Sequence, residues 1–360
     1  MCVKHLGGKM KGFGIIKPLE QVGWIEKDAP VAGPYEAVLE PVALIPCTSD
    51  VDTAAENPNA PVGRILGHEG VGRIVSVGSE VKDFKPGDIV AVPAVTPMWR
   101  NLDVQDCNHQ HSGGYLGGRY LSSKWDGMFA EYFKVPDVDL NVAKIPDGVS
   151  LEAAALVGDM VTTGFHGVEL ADVKFGDRVC VIGIGPVGLM SVVGCVLRGA
   201  AEIYAVGHRP LAMQYGATAT IDYHDGPIVE QVMKLTGGQQ IGKVIIAGGE
   251  PTVFNDALAL VKYTGTVANL AGHGRTELLL PIYTNESGFG FCAHKTVTGG
   301  LCPGGRRRIE RLMGMVKAGR FEPEKLITHR FYGLDGIEEA FDLMKSKNPE
   351  VIKPIIYFDK

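Results

Sequence analysis

The hydrophobic rhythm of the chain changes near its middle. Over the first part, short apolar runs broken by Pro and Gly predict strands at 10–16, within 20–45, and at 73–77, 89–92 and 128–135. Residues 96–125 are polar and irregular, and a loop of that length in a compact domain marks a functional segment or a contact arm. Helical spacing begins at 151–156 and runs towards Leu170. Beyond it strands and helices alternate, with strands beginning at or near Val179, Ile203, Ala219, Lys243 and Thr266. The run 179–182 is apolar at every position, as a strand covered on both faces requires. That alternation predicts a doubly wound parallel sheet. After Gly300, helices at 306–317 and 334–345 precede a last strand at 352–358, whose natural place is back on the first, β-rich domain. The expected organisation is a β-rich domain over 1–160, a doubly wound domain over 161–299 and a return to the first domain over 300–360.

Between the strand at 179–182 and the helix after it lies Gly183, Ile184, Gly185, Pro186, Val187, Gly188. In strand–turn–helix context this spacing has a mechanism. The first glycine permits the turn, the second admits a pyrophosphate, and the third lets helix and strand pack closely. The helix N-terminus then faces the phosphates with a positive dipole end. The next strand ends at Gly207, followed by His208 and Arg209. An NAD site usually carries Asp or Glu there to bind the ribose 2′-hydroxyl. Here no carboxylate opposes a 2′-phosphate and a guanidinium is available to pair with it, so the expected cofactor is NADP.

Composition narrows the class. A net charge of −6 gives nucleic-acid binding no electrostatic support. No apolar run reaches membrane-spanning length, and the N-terminus lacks a signal-peptide core. The seven Cys are scattered, and Cys180 and Cys195 fall inside the predicted strand and helix as buried thiols, which points to a reducing, cytoplasmic setting.

Cys47, His68 and Asp159 are a thiolate, an imidazole and a carboxylate, the donor types of a catalytic zinc that keeps one position open. Cys47 and His68 each sit among turn residues, as ligands at loop edges would. Spacing alone does not join Asp159 to them. The surrounding motif changes the argument. Gly67, His68, Glu69, Gly72, Gly78 and Val81, the step Cys47-x-Ser49 and the later glycine turn resemble the zinc-dependent medium-chain alcohol dehydrogenase family. The likeness runs from about Met10 to the C-terminus and is strongest to its NADP-dependent secondary-alcohol branch, through 46–50, 160–167 and 299–306.

The resemblance implies a Rossmann domain beside a GroES-like catalytic domain. It implies a catalytic zinc on Cys47, His68 and Asp159, with Glu69 as a second carboxylate able to approach the metal. It also implies hydride transfer between a small, usually secondary, alcohol and NADP. Ser49 matches the hydroxyl beside the substrate oxygen, and Asp50 the carboxylate that orients the imidazole. Asp52 stands where many relatives place the His of a proton relay. Tyr223 and Lys347 resemble further cofactor contacts. A homotetramer is implied as well.

The chain also departs from the family. Cys107 stands alone where many relatives hold a four-Cys structural zinc, so a single zinc is expected. The segment 208–216 leaves room for about one and a half helical turns, shorter than in the branch it resembles: either the helix is truncated or residues are missing. Arg119 and Gly272 replace bulky aromatic residues of the branch's pocket. Two rival readings remain: a zinc-free quinone or enone reductase of the same fold, and a non-enzymatic NADPH-binding protein. Cys47, Ser49, His68 and Asp159 together argue against both.

Overall fold

The computed structural model describes residues 8–117, 125–273, 277 and 294–358. The chain divides into two compact units, Met1–Thr162 with Cys302–Lys360, and Thr163–Leu301.

The first unit begins with a two-stranded antiparallel ribbon, β1 (Lys9–Lys17) and β2 (Gln21–Asp28). Next come β3 (Ala37–Leu44), helix α1 (Thr48–Glu56), β4 (Gly70–Val77), β5 (Ile89–Val92), β6 (Phe133–Val135), α2 (Val138–Asn141), β7 (Ala143–Lys144) and α3 (Leu151–Leu156). Apolar alternation along β1 buries Phe13 and Ile15 while Lys9 and Lys17 stay exposed. Strand β3 is buried along nearly its whole length because it is paired on both edges and covered on both faces. Phe13 meets Trp24 edge-on at 5.6 Å and Phe341 at 5.3 Å, tying the ribbon to the returning segment.

The second unit starts within α4 (Thr162–Leu170) and continues β8 (Arg178–Ile182), α5 (Pro186–Leu197), β9 (Glu202–Val206), α6 (Leu211–Gln214), β10 (Ala219–Ile221), α7 (Ile228–Leu235), β11 (Ile241–Ile246), α8 (Val253–Leu260), β12 (Val261–Asn269) and β13 (Thr296–Gly299). Its six strands are ordered β10-β9-β8-β11-β12-β13, all parallel. The order reverses between β8 and β11, the switch point at which such sheets bind ligands outside their carboxyl ends. Cys180 and Cys195 are fully buried here.

The chain then returns through α9 (Arg306–Lys317), β14 (Ile327–Tyr332), α10 (Asp335–Lys345) and β15 (Lys353–Tyr357). Strand β15 joins β3 antiparallel and β14 parallel, completing a sheet of order β14-β15-β3-β4-β5-β7. Two local features differ from the sequence expectation. The segment after Cys47, for which the sequence predicts no helix, is α1, whose alternation of polar and small residues hides its amphipathic face. Strand β14 has only Ile327 buried, so its ITHRFY pattern carries little apolar signal. Among the described residues, no helix is long and apolar enough to cross a membrane.

Candidate metal centre and nucleotide turn

Each ligand candidate is set by a different local device. Cys47 is the N-cap of α1, and Asp50 reaches back to accept the Cys47 N–H at 3.0 Å. The other Asp50 oxygen accepts the N–H of Gly67 at 3.0 Å and lies 3.0 Å from Nδ1 of His68. One buried carboxylate therefore fixes the helix start, the approach to His68 and the imidazole plane. Burial works against ionised Asp50, but the His68 ring and these backbone N–H groups outweigh it and lower its pKa. Asp159 sits in a single π-turn, Val157–Val161, between α3 and α4. Such turns recur at functional sites because the extra residue re-aims a side chain. A Cβ at Gly158 would lie 2.7 Å from the Val92 carbonyl, so glycine lets that turn press on β5.

The ligand atoms of Cys47, His68, Glu69 and Asp159 all lie within 4.8 Å of one another. Asp159 Oδ2 is 3.7 Å from Cys47 Sγ and 3.5 Å from His68 Nε2, and Glu69 Oε1 is 3.9 Å from that same Nε2. All four residues are buried, and Oε2 of Glu69 has no hydrogen-bond partner. A thiol, an imidazole and two carboxylates converging on one buried point make a mixed sulfur, nitrogen and oxygen donor set, which suits zinc. The donor set thus fits Zn²⁺.

Sequence reasoning missed Lys353. This ammonium is 1% exposed, donates to Glu69 Oε1 at 2.7 Å and to the Pro46 carbonyl at 3.1 Å, and enters from β15. Its signal was a lysine opening an otherwise apolar strand, KPIIY. Burial disfavours ionisation of the Cys47 thiol, but Lys353 and the His68 ring oppose it and bring the pKa down to about 7. Burial, with Asp159 and Cys47 close by, pushes the Glu69 carboxyl well up against the pull of Lys353. Burial also opposes charge on His68, yet Asp50 and Asp159 outweigh it and raise its pKa well above the ordinary value. Ser49 Oγ is 3.1 Å from His68 Nε2, and Thr53 Oγ1 donates to the Ser49 carbonyl at 2.6 Å. Asp52 is half-buried, three residues further along the same helix.

In the second unit the glycine turn joins β8 to α5. Gly183 has φ +85, and a Cβ there would lie 2.6 Å from the Gly248 backbone nitrogen. A Cβ on Gly188 would meet the Gly183 carbonyl at 1.8 Å, so the helix can lie this close only on glycine. Beside Gly185, the helix N-cap, a Cβ would meet nothing within 4 Å, and no side chain caps the helix. Pro186 is the first helical residue, between Gly185 and Val187, and Ile184 precedes the cap. This open helix end suits a pyrophosphate. Gly207, His208 and the half-buried Arg209 follow β9, and Tyr223 lies on a short 3₁₀ turn after β10, more than half exposed. Helix α6 is a single turn. Lys347 follows α10 in the first unit, exposed and left-handed at φ +52. Gly272 is exposed, and Arg119 lies outside the described residues.

Residues 33–147 match the alcohol dehydrogenase GroES-like domain, and residues 186–317 match the zinc-binding dehydrogenase domain. The chain is 52% identical over 352 residues to the NADP-dependent isopropanol dehydrogenase of Thermoanaerobacter brockii, covering 96% of this chain and 99% of that protein. It belongs to the zinc-dependent medium-chain alcohol dehydrogenase family. The family member of the same name from Clostridium beijerinckii is 50% identical over 96% of this chain and 99% of its own length. Among solved alcohol dehydrogenases, TADH from Thermus sp. ATN1 superposes with a TM-score of 0.82 at 26% identity, covering 97% of this chain and 100% of that one. Within this family fold, Cys107 is exposed and free, and no second cluster of metal-binding side chains occurs among the described residues.

Proposed function

We propose that the protein is an NADP-dependent, zinc-dependent alcohol dehydrogenase interconverting small secondary alcohols and their ketones by hydride transfer. The observation that carries this is the buried convergence of Cys47, His68, Asp159 and Glu69 within 4.8 Å. The isopropanol dehydrogenases at 52% and 50% identity support the cofactor and substrate class. When bound, zinc supplies Lewis acidity that lowers the pKa of an alcohol hydroxyl, and NADP supplies the hydride acceptor.

The chain's own residues do the rest. Cys47, His68 and Asp159 would hold the ion. Lys353 holds Oε1 of Glu69, the oxygen 3.9 Å from His68 Nε2, while Oε2 is buried without a partner. With the ion bound, Nε2 of His68 would be its ligand, and Ser49, whose Oγ lies 3.1 Å from that atom, would accept the alcohol's proton while passing on its own. Asp52, one helical turn on and half-buried, carries that proton towards solvent. Gly183, Ile184, Gly185, Pro186, Val187 and Gly188 seat the pyrophosphate, while Gly207, His208, Arg209, Tyr223 and Lys347 serve the rest of the dinucleotide. One zinc per chain, a homotetramer and a cytoplasmic setting complete the reading. Cys47, Cys107, Cys180 and Cys195 form no disulfide, which supports the last of these.

An NADP(H)-coupled screen of alcohols and ketones on metal-quantified protein tests the whole. The expected result is about one zinc per chain and turnover that Cys47→Ser abolishes. Full activity without zinc would overturn it in favour of a reductase of the same fold. NADPH binding with no turnover on any substrate would favour a non-catalytic binder. Light scattering checks the tetramer.

A further inference from the structure

Strand β15 opens on Lys353 and then joins β3, with Ile356 paired to Leu44 and Tyr357 to Ala43. Strand β3 leads directly into Ile45, Pro46 and Cys47. The Lys353 ammonium, 1% exposed, donates to the Pro46 carbonyl at 3.1 Å and to Glu69 Oε1 at 2.7 Å. One buried cation thus grips the residue before Cys47 and the residue after His68. These two segments already meet through their backbones, since the Ile45 N–H donates to the Glu69 carbonyl at 3.1 Å. The lysine is therefore not what joins them.

Charge gives it another task. An ionised Cys47 and an ionised Asp159 balance a divalent ion, and a ligating imidazole is neutral. Glu69 is then a surplus anion, 0% exposed, with its carboxylate in the same cluster. A carboxylate kept out of water needs a cation close by. Oε1, the oxygen 3.9 Å from His68 Nε2, is the one that Lys353 holds, and Oε2 has no hydrogen-bond partner. The lysine and an ion at the cluster therefore compete for the same carboxylate.

We infer that Lys353 is a positioning residue that holds Glu69 off the metal, so that the fourth position stays open to the alcohol. The inference rests on the reading of Cys47, His68 and Asp159 as the zinc ligands. Without the ammonium, Glu69 becomes a standing fourth ligand, and the site takes the closed form of a structural zinc centre.

The test replaces zinc with cobalt(II) in the intact protein without NADP, because cobalt takes the same donors and its visible absorption reports their arrangement. Imidazole is the probe for an open position. It should shift the visible bands of the wild type. In Lys353→Met the bands should differ from the wild type's before imidazole is added, and the response to imidazole should be lost. The zinc-loaded variant should also release its ion to a chelator about tenfold more slowly, the equivalent of about 1.4 kcal/mol of added ligation. Adding Glu69→Gln to Lys353→Met removes the competing carboxylate, so the imidazole response and the wild-type release rate should return. Lys353→Gln keeps a donor for the Pro46 carbonyl and should lose the imidazole response as Lys353→Met does. A full imidazole response in both single variants overturns the inference. So does a loss that Glu69→Gln fails to reverse, which would make the lysine a structural support alone. If the wild-type cobalt protein shows no thiolate-to-metal absorption, or Cys47→Ser leaves that absorption intact, the reading of the centre itself fails and takes the inference with it.

Discussion

Replacing Lys353 with Met removes a buried ammonium and keeps the volume and much of the shape of its stem. Lys353 is 1% exposed and Glu69 is 0% exposed, so neither charge has water to fall back on. The variant loses the 2.7 Å bond to Glu69 and the 3.1 Å bond to the Pro46 carbonyl. It leaves a carboxylate whose second oxygen already lacks a partner, beside Asp159 and Cys47. Breaking a buried pair on one side costs about 3–5 kcal/mol. Glu69 escapes part of that penalty by taking up a proton, because Lys353 is what restrains its already raised pKa. The expected destabilisation is therefore about 3 kcal/mol, at the low end of that range. Urea unfolding of chelator-treated protein, followed by signals from the first unit, measures it free of metal linkage. The double variant Lys353→Met with Glu69→Gln should recover more than half of the loss, since it leaves no orphaned charge. A single-variant loss under about 1 kcal/mol, or no recovery in the double variant, refutes the argument that this pair is balanced by burial.

Other consequences are as direct. Asp50→Ala frees the His68 ring and uncaps α1 at once, and zinc affinity measured by chelator competition should drop about 10–100-fold. Gly188→Ala puts a methyl where the Gly183 carbonyl stands at 1.8 Å, so α5 must move off the sheet, and NADPH affinity should fall with little change in zinc content. Cys180 is fully buried with its thiol pushed up to about 12, whereas Cys107 is exposed, so mass spectrometry after brief alkylation of native protein should find Cys107 labelled and Cys180 untouched. Labelling of Cys180 at a comparable rate would contradict the packing described for β8.

The parallel sheet was legible because its strands, buried on both faces, are written as unbroken apolar runs such as VCVI, and because glycine spacing constrains the turn that follows. The expectation of NADP had a chemical reason, the absence of a carboxylate after β9. Helix α1 was not legible, since TSDVDTAAE has few apolar residues with which to mark a face. Nor was β14, an edge strand with little burial.

Local sequence determined donor types, glycine turns and strand periodicity, because these depend on near neighbours along the chain. Its motif resemblance proposed Asp159 as a partner of Cys47 and His68, but spacing could not bring together residues 112 positions apart. Only the tertiary structure, through the cap at Cys47 and the π-turn at Asp159, set those side chains within reach of one another. The tertiary structure alone also decided that Lys353, 284 residues beyond Glu69, is buried against it. A lysine in a strand has no local signature for burial: its environment is set by sheet order, and β15 comes to lie beside β3 only when the chain returns.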